Sequence, residues 1–124
     1  MGGPATGADP LSGMGAALTA LAARAVVGTD GDVWTANSAF CSLVALDEPA
    51  LRHLGWRQLV HPADRQYVAA HLVEILAGNA DLREFDLRLV PPHGRDVPAR
   101  MRVELVRDSD GRQGWFLMEA WATT

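Results

Sequence analysis

One cysteine, four histidines and a scatter of serines and carboxylates are the side chains from which metal or nucleophilic chemistry would have to be built. His53, His61, His71 and His93 with Cys41 follow none of the spacings of zinc sites, and His61 beside Pro62 is explained as a helix cap. Ser12, Ser38, Ser42 and Ser109 stand in no Gly-x-Ser-x-Gly context, so no serine is raised on a strained turn. All eleven basic residues are Arg. A chain without Lys cannot form a Gly-x-x-x-x-Gly-Lys phosphate loop. The acids alternate along strand-like stretches and do not converge in pairs. The expectation is a protein with no catalytic and no metal-binding set.

Composition narrows the class further. The 124 residues suit one domain, because two cores of half that size would each be marginal. A net charge of −4 and a pI near 5.4 argue against nucleic acid or an anionic membrane as the main partner. A single cysteine excludes an internal disulfide and fits a reducing cytoplasm. No apolar run approaches the roughly 18 residues of a membrane span, so membrane insertion is not expected. Residues 1–12, rich in Gly, Pro and Ala and without a basic start, read as a flexible lead-in and not as a secretory signal.

Leu11, Met14, Leu18 and Leu21 recur at spacings of three and four, the stripe of an amphipathic helix over residues 13–23. A domain over residues 24–124 follows. Two β-rich runs, Ala25-Val26-Val27 and Val33-Trp34-Thr35-Ala36, flank Asp30-Gly31, a hairpin signal. Asn37 offers a cap to a short helix from Ser38 to Val44, and Asp47-Glu48-Pro49 suits another helix start. Residues 55–60 read as a single turn. A longer helix is predicted from Pro62 to about Ala77, with Val68, Leu72 and Ile75 as its buried stripe and Gly78 at its end. Asp64 is expected near the positive end of its dipole. Phe85, Leu87 and Leu89, and then Val97 to Leu105, alternate with polar residues as half-buried strands. Residues 115–121 form a last strand that is apolar on both faces. This order gives an α+β domain: a five-stranded antiparallel sheet with helices gathered on one side and the N-terminal helix on the other.

Asp30-Gly31, Val33 and Asn37-x-Ala39-Phe40-x-x-Leu43 are similar to the opening of PAS domains. His61-Pro62-x-Asp64 resembles that family's helix-opening motif. Gly78, the charged strand with Glu84 and Arg88, His93-Gly94 and Arg107-Asp108-x-Asp110-Gly111 continue the likeness in the family's order. The resemblance covers Ala25 to Trp121. It implies a non-catalytic sensory module that binds a small ligand or a partner and relays signal by conformational shift and dimerisation, as part of a larger signal-transduction protein. The alternative is a small cone-shaped enzyme similar to steroid isomerases and nuclear transport factors, but the single Tyr67 leaves it short of buried donors. Two departures from the family pattern, Gly28 in place of an acid and His93-Gly94 in place of Asp-Gly, read as cosmetic. Trp121-Ala122-Thr123-Thr124 stand where many relatives continue into a signalling helix, so the output domain is left open.

The resemblance also raises cofactors. Light-oxygen-voltage relatives form a flavin adduct through a cysteine in a Gly-x-Asn-Cys-Arg-Phe run of a later helix, whereas Cys41 lies in the first helix and reads as a small core residue. Haem-binding relatives supply a histidine from the long helix, at a position nearer Tyr67 or Val68 than His71. Neither haem nor flavin is supported, and a small apolar ligand stays open. Strand alternation turns Phe116, Met118 and Ala120 one way, toward the helices where the family keeps its cavity. Phe40, Val68, Phe85, Met101 and Val103 would line the same space, as a filled core or as a pocket. Trp115, Leu117 and Trp121 turn the other way, with Trp34 as a neighbour. Such a strip needs covering. The stripe of Met14, Leu18 and Leu21 or a second copy could do it, and the expectation is a homodimer built from both.

Overall fold

The computed structural model describes residues 17–18, 21–107 and 110–124. The lead-in, Met14 and much of the expected 13–23 helix thus lie outside the described residues. Strands β1 (Ala23–Gly28) and β2 (Val33–Ala36) come first, then helices α1 (Ser38–Val44), α2 (Glu48–Leu51) and α3 (Arg65–Leu76). Strands β3 (Leu82–Leu89), β4 (Val97–Arg107) and β5 (Gln113–Ala122) complete the domain. They form one antiparallel sheet of order β2-β1-β5-β4-β3, with the helices on the face that carries Phe85 and Met101. The five-stranded α+β architecture read from the sequence is the one observed.

The hairpin between β1 and β2 closes as the Asp-Gly pair predicts. Gly31 has φ 100°, a conformation that only glycine adopts without strain. Its N–H donates to the Gly28 carbonyl (2.9 Å), and the Asp30 carboxylate accepts from the Asp32 N–H (3.1 Å).

Asn37 does more than its expected capping. Its Oδ1 accepts from the Phe40 N–H of α1 and from the Arg24 N–H, both at 3.0 Å. Its Nδ2 donates to the Ala22 carbonyl (2.7 Å). One amide thereby fixes both the start of α1 and the chain at residues 22–24, where β1 begins. The N-terminal helix therefore does not reach residue 23 as expected. Residues 17–18 are helical, 21–22 bend, and β1 begins at Ala23.

The α3 region also departs from expectation. Residues Pro62–Asp64 form a 3₁₀ turn, and the α-helix starts at Arg65. The reason is the use made of Asp64. His61 Nδ1 caps the turn by accepting from the Ala63 N–H (3.0 Å), which frees the Asp64 carboxylate to leave the helix axis. It accepts from the Arg88 backbone N–H (2.9 Å), Nε (3.0 Å) and Nη2 (2.9 Å).

Residues 54–65 act as a strap across the inner face. At one end the Val33 N–H donates to the Leu54 carbonyl and the Trp56 N–H to the Gly31 carbonyl. At the other end the His61 N–H donates to the Arg88 carbonyl and the Val90 N–H to the Leu59 carbonyl. Because β2 and β3 are the two outer strands, the strap bonds to one end of each edge of the sheet, edges that otherwise invite further pairing. Trp56, Leu59 and Val60 lie buried beneath it.

Arg88 holds the Asp64 carboxyl below the usual carboxylate range, chiefly through side-chain hydrogen bonds. That stabilisation is complete above a pH of about 4 and is lost as the pH falls through the folded-state value. Asp64→Ala should therefore lower stability by about 1–2 kcal/mol at neutral pH. Urea melts across pH should show parent and variant converging at acid pH; a gap that persists unchanged there would assign the loss to another cause.

Candidate functional site

Every residue expected to line an interior site is buried: Phe40, Val68, Phe85, Met101, Val103, Phe116 and Met118. All seven belong to one cluster between sheet and helices. The free space among them is small. An apolar cavity of about 10 Å³ is bounded by Phe40, Val68, Met101 and Met118 together with Trp56, Leu59, Val60 and Leu89, and by Ala25, Val27 and Val33 of the hairpin. Cavities of roughly 150 Å³ admit benzene, and about 10–15 Å³ is the least that holds one water.

Phe85, Val103 and Phe116 share the core but do not border this space. Phe85 instead stacks on His71 with ring centroids 4.4 Å apart and planes within 5°, and Tyr67 meets both rings edge-on. The residues missed by sequence reading are those of the strap, above all Trp56. They occupy a short stretch with neither helical nor strand period, where burial has no periodic signature.

The titratable groups near the interior are quiet. Burial, and then the Arg83 charge, push His71 below its ordinary value, which disfavours the imidazolium. Burial, with Glu48 and Asp47 adding to it, pushes the Cys41 thiol up; such a thiol is a poor nucleophile. Cys41 packs against the core cluster, as a small hydrophobe would. His53 and His93 are exposed. Among the described residues no group of three or more His, Cys, Asp or Glu is placed to hold a metal ion.

The outer sheet face divides into two halves. One is ionic: Arg100 bridges Glu84 (3.2 Å) and Asp86 (3.1 Å), and Arg24 pairs with Glu119 (2.8 Å). The other is apolar. Val26 and Trp115 form a buried pair against which Leu18, Val106 and Leu117 pack. Trp34, near this pair, and Trp121, which lies opposite Arg100 at the ionic end of β5, each remain 40% exposed. Leu18 thus sits where the sequence stripe places it, while Leu21 is 98% exposed at the bend before β1. Met14 lies outside the described residues.

Gly28 is not cosmetic. A Cβ built there would fall 2.6 Å from Trp34 Nε1 and 2.8 Å from its Cε2. The missing side chain is the space in which the Trp34 indole lies over β1 at Gly28, whose register partner on β5 is Trp115.

The model of the PAS fold matches residues 16–118. The chain belongs to the PAS family. It is 28% identical over 95 residues to the Escherichia coli (strain K12) protein named "Probable diguanylate cyclase DgcE", a stretch covering 77% of this chain and 9% of that protein. Among solved structures it is similar to the PAS domain of a Colwellia psychrerythraea protein, with a TM-score of 0.80 at 13% identity over 94% of this chain and 98% of the other. It is also similar to a domain of a sensory box sensor histidine kinase/response regulator from Geobacter sulfurreducens, with a TM-score of 0.70 at 19% identity over 90% and 92%. The PAS match sets aside the cone-shaped enzyme alternative. PAS domains are sensory modules of signalling proteins and are generally not catalysts, and that is the level at which this chain is placed. No described helix is long and apolar enough to cross a membrane.

Two measurements check the packing. Met118→Ala should cost roughly 2–4 kcal/mol in urea unfolding, as large-to-small truncations in filled cores do; a cost under about 1 kcal/mol would mean the site is loosely packed. Gly28→Ala should displace the Trp34 indole, shift Trp emission to the red and cost about 1–3 kcal/mol as an overpacking change. Unchanged emission would show that the ring does not rest on Gly28.

Proposed function

We propose that this PAS domain is a non-catalytic sensor that works as a homodimer, pairing through its N-terminal segment and outer sheet face. The observation that carries this reading is Leu18 packed on Val26 and Trp115, on a sheet face that also leaves Trp34 and Trp121 40% exposed. A strip of large aromatics in water is unfavourable for a monomer. The bare Leu21, 98% exposed next to a segment already docked on the sheet, needs a partner surface of the same kind. A second copy provides one, since an isologous interface brings the same patch from both protomers. The ionic half of the same face, with Arg100 between Glu84 and Asp86, offers polar groups for its rim.

In this reading the domain belongs to a larger cytoplasmic signalling protein. The relative named as a diguanylate cyclase and the neighbour named as a sensor histidine kinase support that class of protein. A small ligand in the core, favouring one packing of sheet against helices, would shift the population of dimer states and so the output.

The double variant Leu18→Glu, Leu21→Glu tests the pairing. Light scattering on the purified chain should give twice the monomer mass for the parent and the monomer mass for the variant, with dye binding raised by the uncovered Trp strip. A parent that runs as a monomer, or a variant that keeps the parent's mass, overturns the proposal.

A further inference from the structure

Trp56 borders three spaces at once. It closes one wall of the interior cavity. It also walls a surface cleft of about 180 Å³ between the hairpin turn and α3, where Leu72, Leu76 and Phe116 contribute apolar surface. A second cleft, of about 300 Å³ and adjoining the first, runs from Asp30–Asp32 to Arg57 and Gln58. No other residue is common to the three. Its main chain is pinned, with the N–H donating to the Gly31 carbonyl at 2.9 Å. Its indole is held by packing and by the exposed Arg57 guanidinium, 4.7 Å above the ring.

We propose that Trp56 is a gate, and that swinging its indole into the neighbouring cleft opens an interior site for a small, flat, uncharged apolar molecule of one or two fused rings. The inference rests on the reading of the domain as a ligand sensor and names the ligand class and the way in. The cavity of about 10 Å³ holds no such molecule as it stands, so the room must come from a side chain that moves. Most of the other walls have fixed backbones and no free space behind their side chains. Ala25, Val27, Val33, Leu89, Met101 and Met118 sit on ladder-bonded strands and Phe40 and Val68 on helices, while Leu59 and Val60 share the strap with Trp56 but border neither surface cleft. Trp56 sits on a 3₁₀ turn and borders two surface clefts that meet at Asp30, Gly31 and Arg57.

The lining fixes the chemistry. No polar or charged residue is buried among the described residues, so a ligand bringing a charge or a donor would lose its water without replacement. Met101 and Met118 both face the cavity. Their unbranched, polarizable side chains can repack around a ring as branched ones cannot.

Naphthalene titrated into the full chain, followed by NMR of the indole N–H and methionine methyl groups, tests this. The Trp56 N–H, assigned through Trp56→Phe, should move together with the Met101 and Met118 methyls on one saturable curve. Trp56→Phe keeps a ring in the wall but shortens it, and should take up naphthalene at least about tenfold faster. If the Trp56 signal moves and both methyls stay, binding is confined to the surface cleft and the proposal fails. Equal uptake rates in parent and variant would retain the interior site and overturn the gate. If neither protein shows any shift, the sensor reading fails with it.

Discussion

The edges of the sheet constrain everything else in this domain. A five-stranded antiparallel sheet leaves two rows of unpaired backbone groups, and here one segment, residues 54–65, bonds to both. At β2 it does so with backbone alone. At β3 it adds the Asp64 carboxylate, which takes a main-chain and two side-chain hydrogen bonds from Arg88. The second attachment is the stronger, because donors to an ionised carboxylate form shorter and more stable bonds than neutral pairs. It also explains the odd start of α3. Were Asp64 to cap the helix in the usual way, it would release Arg88 and with it the end of the strap.

A segment pinned at both ends must cross the sheet between them, and its side chains must go inward. That requirement buries Trp56, Leu59 and Val60 and leaves the core nearly full. Its backbone is secured at Gly31, Leu54 and Arg88, while the stretch between carries only short 3₁₀ turns. Such turns have poorer hydrogen-bond geometry than an α-helix and often mark hinges. Rigid attachment at two points and a deformable middle fit a sensor better than a uniformly stiff shell.

Where a periodic pattern meets a periodic environment, the chain was legible. The alternation in β3, β4 and β5 gives the face of every residue, and the 3.6-residue stripe of α3 gives Val68, Leu72 and Ile75, because the sheet offers one wet and one dry side. Aperiodic features were hidden. Nothing local marks Trp56 as a cavity wall, since its burial comes from a strap whose ends, at Trp56 and His61, bond to Gly31 and Arg88, far apart in sequence. Gly28 was misjudged for a similar reason: its role depends on where the Trp34 ring lies, across a β-bulge that no propensity encodes. Asn37 was half right. A capping residue was legible at α1, but not the grip of the same amide on residues 22 and 24, which ends the N-terminal helix early.

The two faces of the sheet are linked by its pleat. Along β1 and β5 successive residues point to opposite sides: Val27, Phe116 and Met118 inward to the core, Val26, Trp115 and Leu117 outward to the apolar strip. These are the paired strands at the middle of one half of the sheet, in register from Ala23 opposite Ala120 to Gly28 opposite Trp115. A core change large enough to shift the backbone at Met118 also moves Leu117, since the two share a peptide plane. The ionic half offers a contrasting path, because surface ion pairs such as Arg100 with Glu84 and Asp86 re-form at little cost when a strand shifts. Close packing transmits small displacements and exposed ion pairs absorb them. Close packing thus joins the core beneath Trp56 to the strip where Leu18 docks through the two faces of β1 and β5, whereas the charged edge is joined to it only through exposed ion pairs.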